Sequence, residues 1–146
     1  MPVSCHTSYA ITLSATAVAI ATLIPVVLYQ CHAIDHLPDP PGLCFDSDRI
    51  TASKSAHPFG IPDSTLGVAN YGATLALVLA SRRSHTSRRL LRTKLLVDGS
   101  MAAINVTRQV ISFRKLCSWC TGTALATAVL VVAGQRYVSD SATQLN

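Results

Sequence analysis

No Asp, Glu, Lys or Arg occurs before Asp35, and this uncharged opening is the feature that most limits what the chain can fold into. Within it, residues 9–30 reach about 30 Å at about 1.5 Å of rise per helical residue, the thickness of a bilayer's hydrocarbon core. In that solvent each backbone N–H and C=O must be satisfied internally, so such a run is expected to be helical. Pro25 falls inside it, which neighbouring helices in lipid can absorb. The run lacks a positive n-region and is too long for a typical signal-peptide core, so it is read as a retained span. Residues 64–81 and 116–135 are likewise free of Asp, Glu, Lys and Arg and are read as two further spans. Residues 95–113 complete the set, although they contain Asp98 and Arg108. An ionised group at mid-bilayer costs about 3 kcal/mol, but each of these lies near an end of the segment and could snorkel to the interface.

The expected architecture is therefore all-α: an integral membrane four-helix bundle with an outward loop between helices one and two. At 146 residues, with 13% charged and 49% apolar side chains, the chain is read as one domain, 1–146. Arg82, Arg83, Arg88, Arg89, Arg92 and Lys94 crowd the segment between spans two and three and favour its retention in the cytoplasm. Both termini are then cytoplasmic, and residues 31–63 and 112–115 face outward. Arg114 and Lys115 oppose this orientation, two charges against six. No aromatic side chains interleave the basic segment, so it reads as a topology signal attracted to anionic lipid and not as a nucleic-acid site. Asn105-Val106-Thr107 matches a glycosylation pattern but lies inside a span, out of a transferase's reach.

Cys117 and Cys120 open the last span in the run Leu116-Cys-Ser-Trp-Cys-Thr-Gly-Thr. Three residues apart on a helix, their sulfurs share a face, and the helix N-terminus favours the reactive thiolate. A disulfide closed over so few atoms can be opened and remade. Cys31 and Cys44 fall on the same outward side, where disulfides persist, whereas Cys5 lies opposite as a free thiol. The outward loop begins with the turning stretch Asp39-Pro40-Pro41-Gly42, offers residues 50–56 for a short helix over the bundle mouth, and ends at Phe59-Gly60-Ile61-Pro62-Asp63. Two other readings of the dithiol stand beside the redox one. It could bind metal with His32 and His36, or it could staple a non-catalytic helical membrane scaffold.

The segments Asp48-Arg49-Ile50-Thr51-Ala52-Ser53, Phe59-Gly60-Ile61-Pro62, Leu66-Gly67 and Tyr71, followed by Cys117-Ser118-Trp119-Cys120, resemble the vitamin K epoxide reductase family in order and spacing over residues 10–135. The resemblance implies four helices around a quinone, a Cys-x-x-Cys dithiol beside it, and loop cysteines that ferry electrons from a thioredoxin-like partner. The chain departs from that pattern in the loop. Ser47 stands where the family has its second loop cysteine, and the first falls near residues 39–41, where this chain has none. The asparagine that family members turn toward a quinone carbonyl aligns with Asp63, and the tyrosine some carry past the dithiol aligns with Ala124.

On this resemblance the chain is expected to be a thiol–disulfide oxidoreductase that couples oxidation of thiols to reduction of a quinone of the ubiquinone or menaquinone class and supports disulfide formation. The expected setting is a bacterial cytoplasmic membrane, and the expected partner is a separately encoded thioredoxin-like protein or an exported thiol substrate. Cys120 lies about 4.5 Å deeper along the helix than Cys117 and is assigned to face the quinone, while Cys117, nearer the mouth, takes the mixed disulfide. Cys44 and Cys31 are the loop thiols available as a relay. Ser53, Phe59, Asp63 and Trp119 are the expected quinone-binding residues. Ser53 is equally suited to cap a loop helix, Phe59 and Trp119 to anchor at headgroup level, and Asp63 to charge a helix N-terminus.

Overall fold

The computed structural model describes residues 3–42 and 44–143. Four long helices carry the chain: α1 (Val3–Gln30), α3 (Asp63–Ala80), α4 (His85–Phe113) and α5 (Ser118–Thr143), with the short α2 (Ser47–Thr51) in the loop after α1. α1 packs against α5 and α3, and α4 packs against the same two, closing a four-helix ring. Among the described residues the nearest thing to a strand is one isolated parallel bridge between Phe45 and Leu116.

α1 and α5 are each long and apolar enough to cross a bilayer, over Cys5–Gln30 and Ser118–Ser141. α3 carries Asp63 and Asn70, and α4 carries Lys94, Asp98 and Arg108, which lowers the apolar character of both. Hydroxyls inside the helices are satisfied locally: Thr12 donates to the Ser8 carbonyl at 2.7 Å and Thr16 to that of Thr12 at 2.8 Å. Others join helices, as in the 2.9 Å contact of Thr22 with Thr123 and the 2.5 Å contact of Tyr71 with Thr127. Ser81 donates to the Tyr137 hydroxyl at 3.2 Å, and Cys5 lies 3.5 Å from the Ser141 hydroxyl.

Two expectations need correction. The basic segment is not a loop, because α4 begins at His85 with the Ser84 hydroxyl accepting from the Ser87 N–H; Arg88, Arg89, Arg92 and Lys94 therefore ride on the first turns of that helix. The longer helix also puts Asp98 near its middle, where snorkelling is out of reach. Asp98 is buried instead, bonded to Lys94, Thr74 and Asn70.

At Gly134 α5 packs tightly on α4, since a Cβ there would lie 2.4 Å from the Leu95 Cδ1. Leu95 is fully buried. Gly134→Val should therefore overpack the interface by about 1–3 kcal/mol. Thermal unfolding in detergent followed by circular dichroism should show a midpoint several degrees lower, with helix content at low temperature unchanged.

Candidate functional site

Cys117 sits immediately before α5, and its sulfur receives the Cys120 N–H at 3.2 Å, acting as acceptor for an otherwise unpaired donor of the first helical turn. The Cys117 N–H in turn donates to Gln109 Oε1 of α4 at 2.9 Å. These bonds fix the dithiol between two helices. The thiol of Cys117 is pulled down to about 7, first by its hydrogen bond with Cys120 and then by the Ser47 hydroxyl and the Cys120 and Trp119 N–H groups, against burial that works to raise it.

A clasp from the loop between α1 and α3 covers this sulfur. The Asp39 carboxylate accepts the Ser47 N–H at 2.7 Å and the Ser47 and Ser118 hydroxyls at 2.5 Å each, and the Ser118 N–H donates to Ser47 Oγ at 3.0 Å. Burial would raise the Asp39 pKa, but the Ser118 and Ser47 donors outweigh it and hold the carboxyl below its ordinary range. Beside the clasp, Asp46 N–H donates to the Leu116 carbonyl at 3.0 Å and Leu116 N–H to the Cys44 carbonyl at 2.9 Å. Cys117 is in consequence fully buried under the loop, where the sequence placed it toward an aqueous mouth.

Cys120 faces the other way, into a cavity of about 530 Å³ between α1, α3, α4 and α5. Its apolar walls include Leu23, Val26, Leu66, Tyr71, Met101 and Ala124. Polar groups gather at two levels, with Asp63, Ser64, Asn105 and Arg108 near the dithiol and Asn70 and Asp98 farther along the helices. Gln30, the last residue of α1, organises the first level. Its amide donates to the Thr51 carbonyl at 2.9 Å and to Asp63 Oδ1 at 3.0 Å, while its oxygen accepts the Ser64 hydroxyl.

Of the residues read from sequence, Cys120 and Asp63 meet in this cavity and Cys117 lies directly behind. Ser53, Phe59 and Trp119 do not line it. Ser53 precedes the 3₁₀ turn Lys54–Ala56 without capping it, its hydroxyl donating instead to the Ile50 carbonyl at 2.6 Å. Phe59 has a positive φ of 57° and is fully exposed, which suits an interfacial anchor, and the neighbouring Pro58 and Ser55 supply the loop's share of the wall. Trp119 is drawn under the loop by a 3.2 Å bond from its indole N–H to the Pro38 carbonyl. Cys44 and Cys31 are exposed thiols, with the Cys44 backbone adjacent to the dithiol through Leu116.

Of the histidines in the metal alternative, His36 contacts Asp48 through Nδ1 at 2.5 Å, and no group of three or more His, Cys, Asp or Glu converges among the described residues. The sequence reading passed over Gln30, Gln109 and Asn70. Their only signal was a large polar side chain in or at the end of an apolar segment.

No curated protein and no solved structure matches the chain significantly. The model of the vitamin K epoxide reductase family matches residues 5–134, covering both cysteines of the dithiol, all of α3 and α4, and the loop that covers Cys117. With most of its length accounted for in this way, the chain belongs to the vitamin K epoxide reductase family.

Proposed function

We propose that this protein is a multi-pass membrane oxidoreductase that oxidises thiols to disulfides and passes the electrons to a quinone. Family membership implies thiol–disulfide chemistry linked to quinone. The observation that carries the reading for this chain is that Cys120 opens into the apolar cavity while Cys117 is held, poised for ionisation, beneath a loop.

The bundle buries many polar side chains beside its apolar core and leaves large apolar side chains on its surface. Buried positions include Thr16, Ser64, Thr74, Asp98, Gln109 and Thr127, while Val18, Leu79, Val97, Ile111, Leu125 and Val132 are exposed. Such a surface suits lipid on all four long helices, with polar groups satisfied between them. The cavity suits a quinone head: apolar walls, polar groups at both levels, and exposed Leu66, Met101 and Ile104 where a hydrocarbon tail would pass to lipid.

A quinone bound there takes up the two electrons and two protons released when the two thiols become a disulfide. The protein's own groups arrange the rest. The Cys120 N–H and Ser47 keep Cys117 ready as a thiolate, which closes onto the Cys120 sulfur as the pair is oxidised. A substrate thiolate, or Cys44 on its behalf, then attacks the Cys117 sulfur and releases Cys120; attack of a second thiol on the resulting mixed disulfide releases Cys117 and completes the substrate disulfide. Asp63, fixed by Gln30, supplies the polar group at the near level.

Three outcomes test this reading. Cys120→Ser should lose quinone reduction, and mass spectrometry after mild oxidation with diamide and acid quench should find Cys117 crosslinked to Cys44; full turnover in this variant would remove Cys120 from its role, and a crosslink only to an external protein would remove Cys44 from the relay. Thiolate absorbance of reduced protein, taken as the difference from Cys117→Ser, should appear with a midpoint near pH 7. The depressed value means that the thiolate is present above that pH and is lost as pH falls through it. Ser47→Ala should move the midpoint up toward the ordinary thiol value of about 8.5. Single cysteines introduced at Ser55 should label with membrane-impermeant maleimide in intact cells, and those at Ser84 should resist; the reverse pattern would place the dithiol in a reducing compartment.

A further inference from the structure

The far level of the cavity is more elaborately built than helix packing requires. Asn70 donates one amide hydrogen to Asp98 Oδ1 at 2.9 Å, and its amide oxygen accepts from Lys94 Nζ at 2.8 Å. Lys94 also donates to Thr74 Oγ1 at 3.0 Å and pairs with Asp98, whose second oxygen takes the Thr74 hydroxyl at 2.7 Å. An ammonium can only donate and a carboxylate can only accept, so the two charges fix which end of the Asn70 amide is oxygen and which is nitrogen. One amide hydrogen is then spent on Asp98, and the other is left at a residue that lines the cavity.

The spacing gives this hydrogen a partner. Asn70 follows Asp63 by seven residues on α3, and Asp98 precedes Asn105 by seven on α4, so the polar levels are separated by about 10 Å. A para-quinone is about 5 Å across its two oxygens, and with a hydrogen bond of about 2.8 Å at each it bridges such a gap.

We propose that Asn70, clamped by Lys94 and Asp98, donates its second amide hydrogen to the quinone carbonyl that lies away from Cys120. This rests on the quinone reading above. Lys94 and Asp98 are positioning residues: they neutralise each other in an apolar setting and keep the amide from turning over. Asn70 touches the ligand and, with Asp63 in its protonated form donating to the opposite carbonyl, selects rings whose two oxygens stand opposite each other.

The test uses the full chain in lipid nanodiscs with short-tailed benzoquinone and naphthoquinone probes carrying ¹³C at the carbonyls. In the wild type, infrared difference spectra should show both carbonyl stretches below their free positions. Asn70→Leu should return one of them to the free position and weaken quinone binding about tenfold, as loss of one buried hydrogen bond would. Its Cys117 thiolate titration should be unchanged. If Asn70→Leu does not fold, Asn70→Ser, too short to reach the ring, should show the same return of one band. Two lowered bands and affinity within about twofold of wild type in either variant would overturn the proposal while leaving the quinone reading intact. A wild-type protein that shifts neither band, and whose thiols neither probe oxidises, would overturn both.

Discussion

The Asp39 carboxylate, taking two hydroxyls and a backbone N–H, is the interaction on which the site depends. It joins the start of α2 to the start of α5 and so presses the loop between α1 and α3 onto Cys117. A carboxylate with three donors is held strongly because each bond is charge-assisted. The clasp also orders the serine that helps to favour the Cys117 thiolate. Ser47 therefore joins the loop to the start of α5 through its hydroxyl, which donates to Asp39 and accepts the Ser118 N–H. The loop is fastened to the dithiol by hydrogen bonds, and its exposed thiol, Cys44, lies next to it in the chain fold.

The bundle beneath follows from placing polar groups where lipid cannot. Thr22 with Thr123, Tyr71 with Thr127 and Ser81 with Tyr137 tie α1, α3 and α5 together. The same logic lets α4 carry Lys94 and Asp98 in its middle, since each charge has the other and two neutral side chains for company. Breaking one partner would leave an uncompensated buried charge, which is far costlier than removing the pair. The cavity lies between these tied regions, bounded by the dithiol at one level and the charged pair at the other.

Family membership and geometry bear on different questions. The match over residues 5–134 accounts for the presence of a dithiol at the start of the last helix. Ser47, Asp63 and Ala124 each have a defined local setting: Ser47 bonds Asp39, Asp63 accepts from Gln30, and Ala124 lies in the cavity wall. A carboxylate held by an amide donor at the near level and an amide held by two charges at the far level make a pair of polar sites different in kind.

The helices and the dithiol were legible in the sequence because both are set by short-range rules. Uncharged runs fix where helices can form in an apolar solvent, and three-residue spacing fixes where two sulfurs fall on a helix. The start of α4 was misjudged because charge alone marked 82–94 as loop, whereas a Ser84 cap suffices to start a helix there. Ser53, Phe59 and Trp119 sit at the right chain positions, yet a hydroxyl bonded to Ile50, a left-handed φ and an indole held by Pro38 turn them from the cavity. Gln30, Gln109, Asn70 and Asp39 acquired their roles only through partners distant in the chain or on another element. The sequence by itself determined where the long helices form and that two cysteines stand at the opening of the last one. Only the tertiary structure decided which polar side chains meet, because hydrogen-bond partners are chosen by the packing of helices against one another and not by spacing along any one of them.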